Sequence, residues 1–189
     1  MDSSTLRALQ GPLKQRYRSD PAAAMTPLAA RGDFREAGVT CTVTTWAGPV
    51  RAGLHEATGG DGSDACSGDM LLQALVACAG VTFRSIATHM NLEFRAASIR
   101  ADGFFDARGT LGVAGDVPVG CTDLTVTIEL DTDVDDAKLR RVADMTEKYC
   151  VVGQSLREPP RERLLRGSSR GRRDRSAPRC APARPGASR

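Results

Sequence analysis

The apolar positions of this chain change period several times, and each change predicts an element. Leu6, Leu9, Leu13 and Tyr17 recur at spacings of three and four, which places an amphipathic helix over residues 3–18. Gly11-Pro12 predicts a break in its middle, and Asp20-Pro21 ends it. From Ala24 the pattern shortens. Residues 25–30, 39–46 and 50–54 are short apolar or β-branched runs separated by Arg31-Gly32-Asp33 and Ala47-Gly48-Pro49, which reads as an antiparallel meander. A polar, Gly-rich loop follows over residues 55–69. Residues 69–90 are then apolar nearly all round, so they predict a central helix of roughly 30 Å, covered by protein on both faces, with Ser67 or Asp69 as its cap.

Two further strands are expected, over residues 94–105 and 122–130. The second alternates cleanly, with Leu124, Val126, Ile128 and Leu130 on one face and Thr125, Thr127 and Glu129 on the other. Asp135 opens an amphipathic helix reaching about Tyr149, with Leu139, Val142, Ala143 and Met145 on its apolar face, and residues 150–156 read as a second short helix after a kink. Helix, strands, long helix, strands, helix is the order of an α+β domain. Composition divides the chain further: residues 1–23 form an N-terminal helical extension, 24–156 the α+β domain, and 157–189 an Arg/Pro-rich tail that is expected to be disordered.

Charge follows the same boundary. The 189 residues carry a net charge of +3, yet residues 157–189 hold eleven Arg against three acids, which leaves 15 basic and 20 acidic residues in 1–156. An acidic body argues against nucleic-acid binding by the domain, and the tail has no aromatic residue for base stacking, so nucleic acid is not an expected partner. The most apolar stretch, residues 70–87, contains Gln73, Arg84 and Ser85, so no membrane association is expected. The N-terminus lacks the basic and apolar regions of a secretory signal, which makes the cytoplasm the expected location.

Chemistry narrows to thiols. Cysteines stand at 41, 66, 78, 121, 150 and 180, without a Cys-x-x-Cys pair, and the only histidines are His55 and His89, so neither a metal site nor a cofactor is expected. Gly59-Gly60-Asp61-Gly62 is followed by no Gly-Lys-Ser/Thr, and the acids around it would repel phosphate. Asp131, Asp133, Asp135 and Asp136 resemble the start of a calcium loop but lack its Gly and closing Glu, so helix capping and dipole complementarity are the better account. No Gly-x-Ser-x-Gly supports a hydrolase. Cys78 on the central helix reads either as a small core hydrophobe or as a reactive thiol, and Cys150, after Glu147 and Lys148, is equally open.

Two segments carry a resemblance. Asp69-Met-Leu-Leu-Gln-Ala-Leu-Val-Ala-Cys78-Ala-Gly resembles the first motif of the OsmC/Ohr family of osmotically inducible and organic hydroperoxide resistance proteins. Glu147-Lys-Tyr-Cys150-Val-Val-Gly-Gln-Ser-Leu156 resembles the second. The likeness implies an OsmC-like fold over residues 24–156, with antiparallel strands around a long buried helix and an intertwined homodimer. It also implies thiol-dependent reduction of organic hydroperoxides. Cys78 would be oxidised to a sulfenic acid, Cys150 would condense with it, and a dithiol reductant would reopen the disulfide. Asp69, which stands where the family usually has Glu, would be the third catalytic residue, its carboxylate one methylene shorter in reach toward an activating Arg. Val151 stands where the family often has Pro. For the Arg that activates the peroxidatic thiol, Arg31, Arg35 and Arg51 are alternatives. A second reading makes the fold a non-catalytic binding or stress-associated scaffold with inert thiols. Family members continue into a terminal strand, whereas this chain turns Arg/Pro-rich at that point, which predicts that the strand is lost or replaced.

Overall fold

Local signals set most of the helices and strands, and one core joins α2, β6, α4 and Cys150. The computed structural model describes residues 1–167. Helix α1 (Ser3–Ser19) starts where Asp2 accepts the Thr5 N–H at 2.7 Å, and Asp20 ends it. The expected break at Gly11-Pro12 does not occur, because Pro12 lies inside a continuous helix. Proline removes a single backbone donor, and the bonds on either side carry the helix past it. Arg7 ties α1 to the rest of the chain by donating to the His89 carbonyl at 3.0 Å.

The first sheet has the order β1 (Arg31–Asp33), β2 (Cys41–Thr45), β3 (Gly48–Gly53), β4 (Ala65–Cys66). The first three strands are antiparallel, as the meander predicts, and β4 adds in parallel. The first strand is displaced from its expected place: residues 25–30 carry no strand, whereas Arg31-Gly32-Asp33, read as a turn, pairs with Thr42, Val43 and Thr44. Gly32 makes that pairing possible, since a Cβ there would lie 3.0 Å from the Thr42 carbonyl oxygen.

Helix α2 (Ser67–His89) follows β4 directly. Its cap position is Cys66, without a side-chain capping bond, so neither Ser67 nor Asp69 caps it; Asp69 instead lies in the first turn, where its charge complements the helix N-terminus. The helix buries Leu75, Ala79, Phe83, Ile86 and Ala87. The opposite face is not covered by this chain, against expectation: Val81 is 72% exposed. By length and mean hydropathy α2 would also suffice to cross a bilayer, so its apolarity does not by itself exclude one, but its buried face is part of the protein core.

The second sheet has the order β5 (Ala96–Phe104), β6 (Thr122–Asp131), β7 (Arg161–Arg166), and between β5 and β6 lies the single-turn helix α3 (Ala107–Thr110). Leu124, Val126, Ile128 and Leu130 are buried as the alternation predicts, but Thr127, expected on the outward face, is buried as well. Helix α4 (Asp136–Tyr149) is capped by Asp135, which accepts the Lys138 N–H, and α5 (Val151–Gln154) follows after the kink at Cys150. Leu139 and Val142 of α4, with Cys150, join α2 and β6 in one core. Full burial of each Leu or Val there is worth about 1.5–3 kcal/mol.

Strand β7 corrects the reading of the tail. Disorder from Arg157 onward was expected, yet Arg161–Arg166 pairs in parallel along β6 from Thr125 to Leu130. The terminal strand is present after all, written in arginines. Its alternation explains why composition hid it: Glu162 and Leu164 turn inward while Arg161, Arg163 and Leu165 are exposed. Arg161 pairs with Asp123 at 3.0 Å, and Arg166 donates to Asp136 at 2.7 Å and to the Thr132 and Val134 carbonyls. Residues 168–189 of the expected tail, with Cys180, lie outside the described residues.

Candidate functional site: a thiol pair beside the middle of the central helix

Cys78 and Cys150 stand 72 residues apart in sequence, and the fold brings them to the same short helix. Cys78 lies midway along α2 and is half-buried, whereas Cys150 is 2% exposed at the kink between α4 and α5. Two successive amides of α5 serve the two sulfurs. The Val152 N–H donates to Cys78 Sγ at 3.5 Å, and the Gly153 N–H donates to Cys150 Sγ at 3.4 Å, so the second thiol is also the cap of α5. Gly153 is buried against the pair, where an added Cβ would meet Cys150 Sγ at 3.4 Å and Leu75 Cδ1 at 3.7 Å. Both cysteines are free thiols.

The environments of the two sulfurs differ. Burial pushes the Cys150 thiol up from its ordinary value, more than the Gly153 N–H brings it down, and the neighbouring Cys78 and the charge of Glu162 push in the same direction as burial. Cys150 in the resting protein is therefore a neutral thiol at pH 7. Glu162 is the functional-site neighbour that the sequence conceals. Its Oε2 is buried without a hydrogen-bond partner, and burial, with the charges of Glu147 and Asp144 on α4, raises its carboxyl to about 7. The signal that could have found it is the alternation of Arg161–Arg166, which composition alone reads as tail.

A raised carboxyl has a consequence for stability with a definite sign. Folded Glu162 keeps its proton to about 7, whereas the ordinary value is 4.5, so the folded chain binds more protons between those limits and loses stability as pH rises through them. Glu162→Gln is expected to unfold at higher urea than the parent at pH 8, by about 1 kcal/mol once screening of a partly exposed group is allowed for, and to match it at pH 4. Urea titrations at the two pH values check this.

The remaining candidates are placed as follows. Asp69 is exposed on the first turn of α2 and, among the described residues, makes no side-chain hydrogen bond or ion pair; nine residues of helix, roughly 13 Å, separate it from Cys78. Of the three arginines, Arg35 pairs with Asp33 at 2.8 Å and Arg51 with Asp64 at 2.9 Å, and none of Arg31, Arg35 and Arg51 hydrogen-bonds to Cys78. The run of acids after β6 is only partly a matter of capping. Asp135 caps α4, but Asp131 and Asp133 hold Arg95 at 2.6 and 2.5 Å, and Asp136 holds Arg166. Among the described residues no group of His, Cys, Asp and Glu is arranged to hold a metal.

Comparison with known proteins gives this geometry a setting. The family described as OsmC-like protein matches residues 60–163, which include both cysteines and Glu162. No curated protein matches the chain. Among solved structures, an OsmC-like protein from Mycoplasma pneumoniae superposes with a TM-score of 0.59 at 12% identity, covering 75% of this chain and 96% of its own. An OsmC-like protein of unknown function from Vibrio cholerae gives 0.60 at 12% identity, covering 75% of this chain and 100% of its own. An organic hydroperoxide resistance protein from Legionella pneumophila gives 0.54 at 13% identity, covering 76% of this chain and 98% of its own. At such identities the structures speak for the fold, α+β and OsmC-like. The family match spans more than half of the sequence and contains the thiol pair, and the chain belongs to the OsmC-like protein family.

Proposed function

We propose that the protein reduces organic hydroperoxides with its two thiols. The observation that carries this reading is the pairing of Cys78 and Cys150 on consecutive amides of α5. The Cys78 thiolate attacks the terminal oxygen of ROOH. The O–O bond breaks, Cys78 becomes a sulfenic acid, and the alkoxide leaves as ROH after taking a proton. Cys150 then gives up its proton and attacks the Cys78 sulfur, expelling the hydroxyl as water and forming the disulfide. Two thiol groups of an external dithiol reverse that bond and are themselves oxidised to a disulfide. A reducing compartment such as the cytoplasm suits this cycle.

A homodimer belongs to the same reading. Val81 on α2 and Phe34, Val39 and Trp46 around the first sheet are exposed by 72, 82, 71 and 99%, and a second copy would cover surface that one chain leaves bare. The dimer would also be the source of an activating arginine, since none of the three candidates hydrogen-bonds to Cys78 in one chain.

The competing reading is a scaffold with inert thiols, and the upward push on Cys150 by burial favours it. One experiment separates them. Reduced protein is treated with one equivalent of tert-butyl hydroperoxide and its disulfides are mapped by peptide mass spectrometry. A rapid Cys78–Cys150 bridge is expected. Unoxidised Cys78 and no bridge, in protein shown to be folded, would leave the scaffold.

A further inference from the structure

The two sulfurs of the thiol pair take their donors from the main chain, and adjacent peptide units serve different cysteines. Val152 N–H reaches Cys78 Sγ at 3.5 Å, and Gly153 N–H reaches Cys150 Sγ at 3.4 Å. Helical bonding resumes one residue later, where the Gln154 N–H donates to the Cys150 carbonyl at 2.9 Å. Packing fixes the aim of both amides. The Val152 side chain lies against the core cluster that contains Cys150, and Gly153 is buried, its Cβ direction facing Leu75 Cδ1 at 3.7 Å. A donor held in this way does not have to reorient when charge appears on the sulfur before it. The cysteines themselves differ in access. Cys78 is half-buried on α2, and Val81, three residues on and so on the same face, is 72% exposed, whereas Cys150 is 2% exposed.

We propose that the two amides divide the reaction cycle between them: Val152 N–H holds the Cys78 thiolate that attacks the hydroperoxide, and Gly153 N–H holds the Cys150 thiolate that leaves when the disulfide is reduced. This rests on the two-thiol reading above. An N–H aimed at sulfur interacts more strongly with a thiolate than with a thiol, so each amide acts when its own sulfur carries charge. Access sets the direction of reduction. A thiolate of the dithiol reductant attacks the reachable sulfur, Cys78; the Cys78–Cys150 bond breaks, and its electron pair leaves on Cys150. Burial opposes charge on that sulfur, and the Gly153 N–H is the contact that works against burial until Cys150 takes up a proton. The second thiol of the reductant then gives up its proton and attacks the reductant sulfur of the mixed disulfide. The reductant departs as a disulfide, and Cys78 returns as a thiolate to the Val152 N–H. Because this donor belongs to the backbone, the side chain at position 152 is free to vary, except to proline, which has no N–H.

Amide-to-ester replacement in the full-length protein removes one N–H at a time with little change of shape. Alpha-hydroxyisovaleric acid takes the place of Val152, and glycolic acid that of Gly153. The Val152 ester is expected to slow iodoacetamide alkylation of Cys78 at pH 7, and its oxidation by tert-butyl hydroperoxide, about tenfold each. Its disulfide, preformed with diamide, should still be reduced by dithiothreitol at close to the parental rate. The Gly153 ester should do the reverse, with dimedone-trapped sulfenic acid forming on Cys78 as in the parent and reduction about tenfold slower. Val152→Ala, which keeps the N–H and loses the packed side chain, should alkylate at Cys78 like the parent, a result that a purely structural role would not give. Esters that leave both steps at the parental rate, or slow both alike, in protein with the parental circular dichroism spectrum, overturn the proposal. A second measurement needs no altered backbone. The Val152 amide proton resonance should shift between pH 5 and 9 in the parent and stay in place in Cys78→Ser; equal behaviour in the two overturns the assignment of Val152. If tert-butyl hydroperoxide oxidises neither cysteine in the parent, peroxide reduction is lost as a function, while the alkylation and dithiothreitol rates still decide what the two amides do.

Discussion

Cys78→Ser is expected to abolish peroxide turnover, whereas Cys150→Ser should consume one equivalent per site and then stop. The asymmetry follows from the chemistry. Serine at 78 keeps the size of the side chain but has no thiolate to attack the O–O bond, so nothing enters the cycle. Serine at 150 leaves the first attack intact and removes the group that captures the sulfenic acid, which is then open to further oxidation to sulfinic acid. Loss at Cys78 should exceed ~10³-fold in kcat/KM, equivalent to about 4 kcal/mol of transition-state stabilisation. Peroxide consumption with a dithiol reductant measures the first variant, and intact mass after stepwise addition of hydroperoxide measures the second, through gains of one and then two oxygens at Cys78. Cys78→Ser with the activity of the parent would remove the thiol mechanism altogether. Folding should not confuse the result for Cys78, which is half-buried and packs at the margin of the core. Cys150 is more exposed to that objection, because it caps α5 and lies within the core; serine, itself a preferred cap, is the substitution that preserves the cap.

The second large effect concerns the fold. A chain ended at Leu156 lacks β7, and it is expected to lose cooperative unfolding and to aggregate. Strand β6 carries Val126, Ile128 and Leu130 in the core, and β7 closes one of its two edges along six paired residues from Thr125 to Leu130. Without β7 those backbone groups face solvent as an open template for pairing with other chains. Leu164 no longer covers the core, and the Arg166 contacts to Asp136, Thr132 and Val134 disappear together. Urea denaturation with size-exclusion chromatography checks this. A sharp, monomeric or dimeric transition in the shortened chain would show that β7 is an accessory.

The sequence was legible where one physical signal dominated. Strict alternation announced β6, and Asp135 announced α4, because each pattern meets its structural period with no competing signal. The long apolar helix was equally plain, though the face it leaves bare was not: a sequence shows that a face is apolar and says nothing of whether its own chain will reach it. The first strand was misplaced because Arg31-Gly32-Asp33 has the chemistry of a turn, and only its pairing with β2 makes it extended. Strand β7 was missed for the opposite reason. Its arginines are outward residues of an edge strand, where charge is expected, yet they merge with the Arg-rich sequence beyond. Glu162 was lost with it. For the site, the cysteine pair was legible only through a family resemblance, since 72 residues of intervening chain give no local clue that α5 will present one amide to each sulfur.

The chain runs from β6 through α4 and α5 into β7, and the two strands lie side by side in the same direction. That makes the segment a crossover span, pinned at both ends to neighbouring tracks of one sheet. Cys150 is in the middle of the span, not at a free end of chain. Its place beside Cys78 is therefore that of a clasp on a tethered strap: the sulfur cannot wander from its partner unless a strand leaves the sheet. Secure anchoring of the strap, more than any contact between the sulfurs themselves, is what would keep an oxidised Cys78 from waiting long for its second thiol.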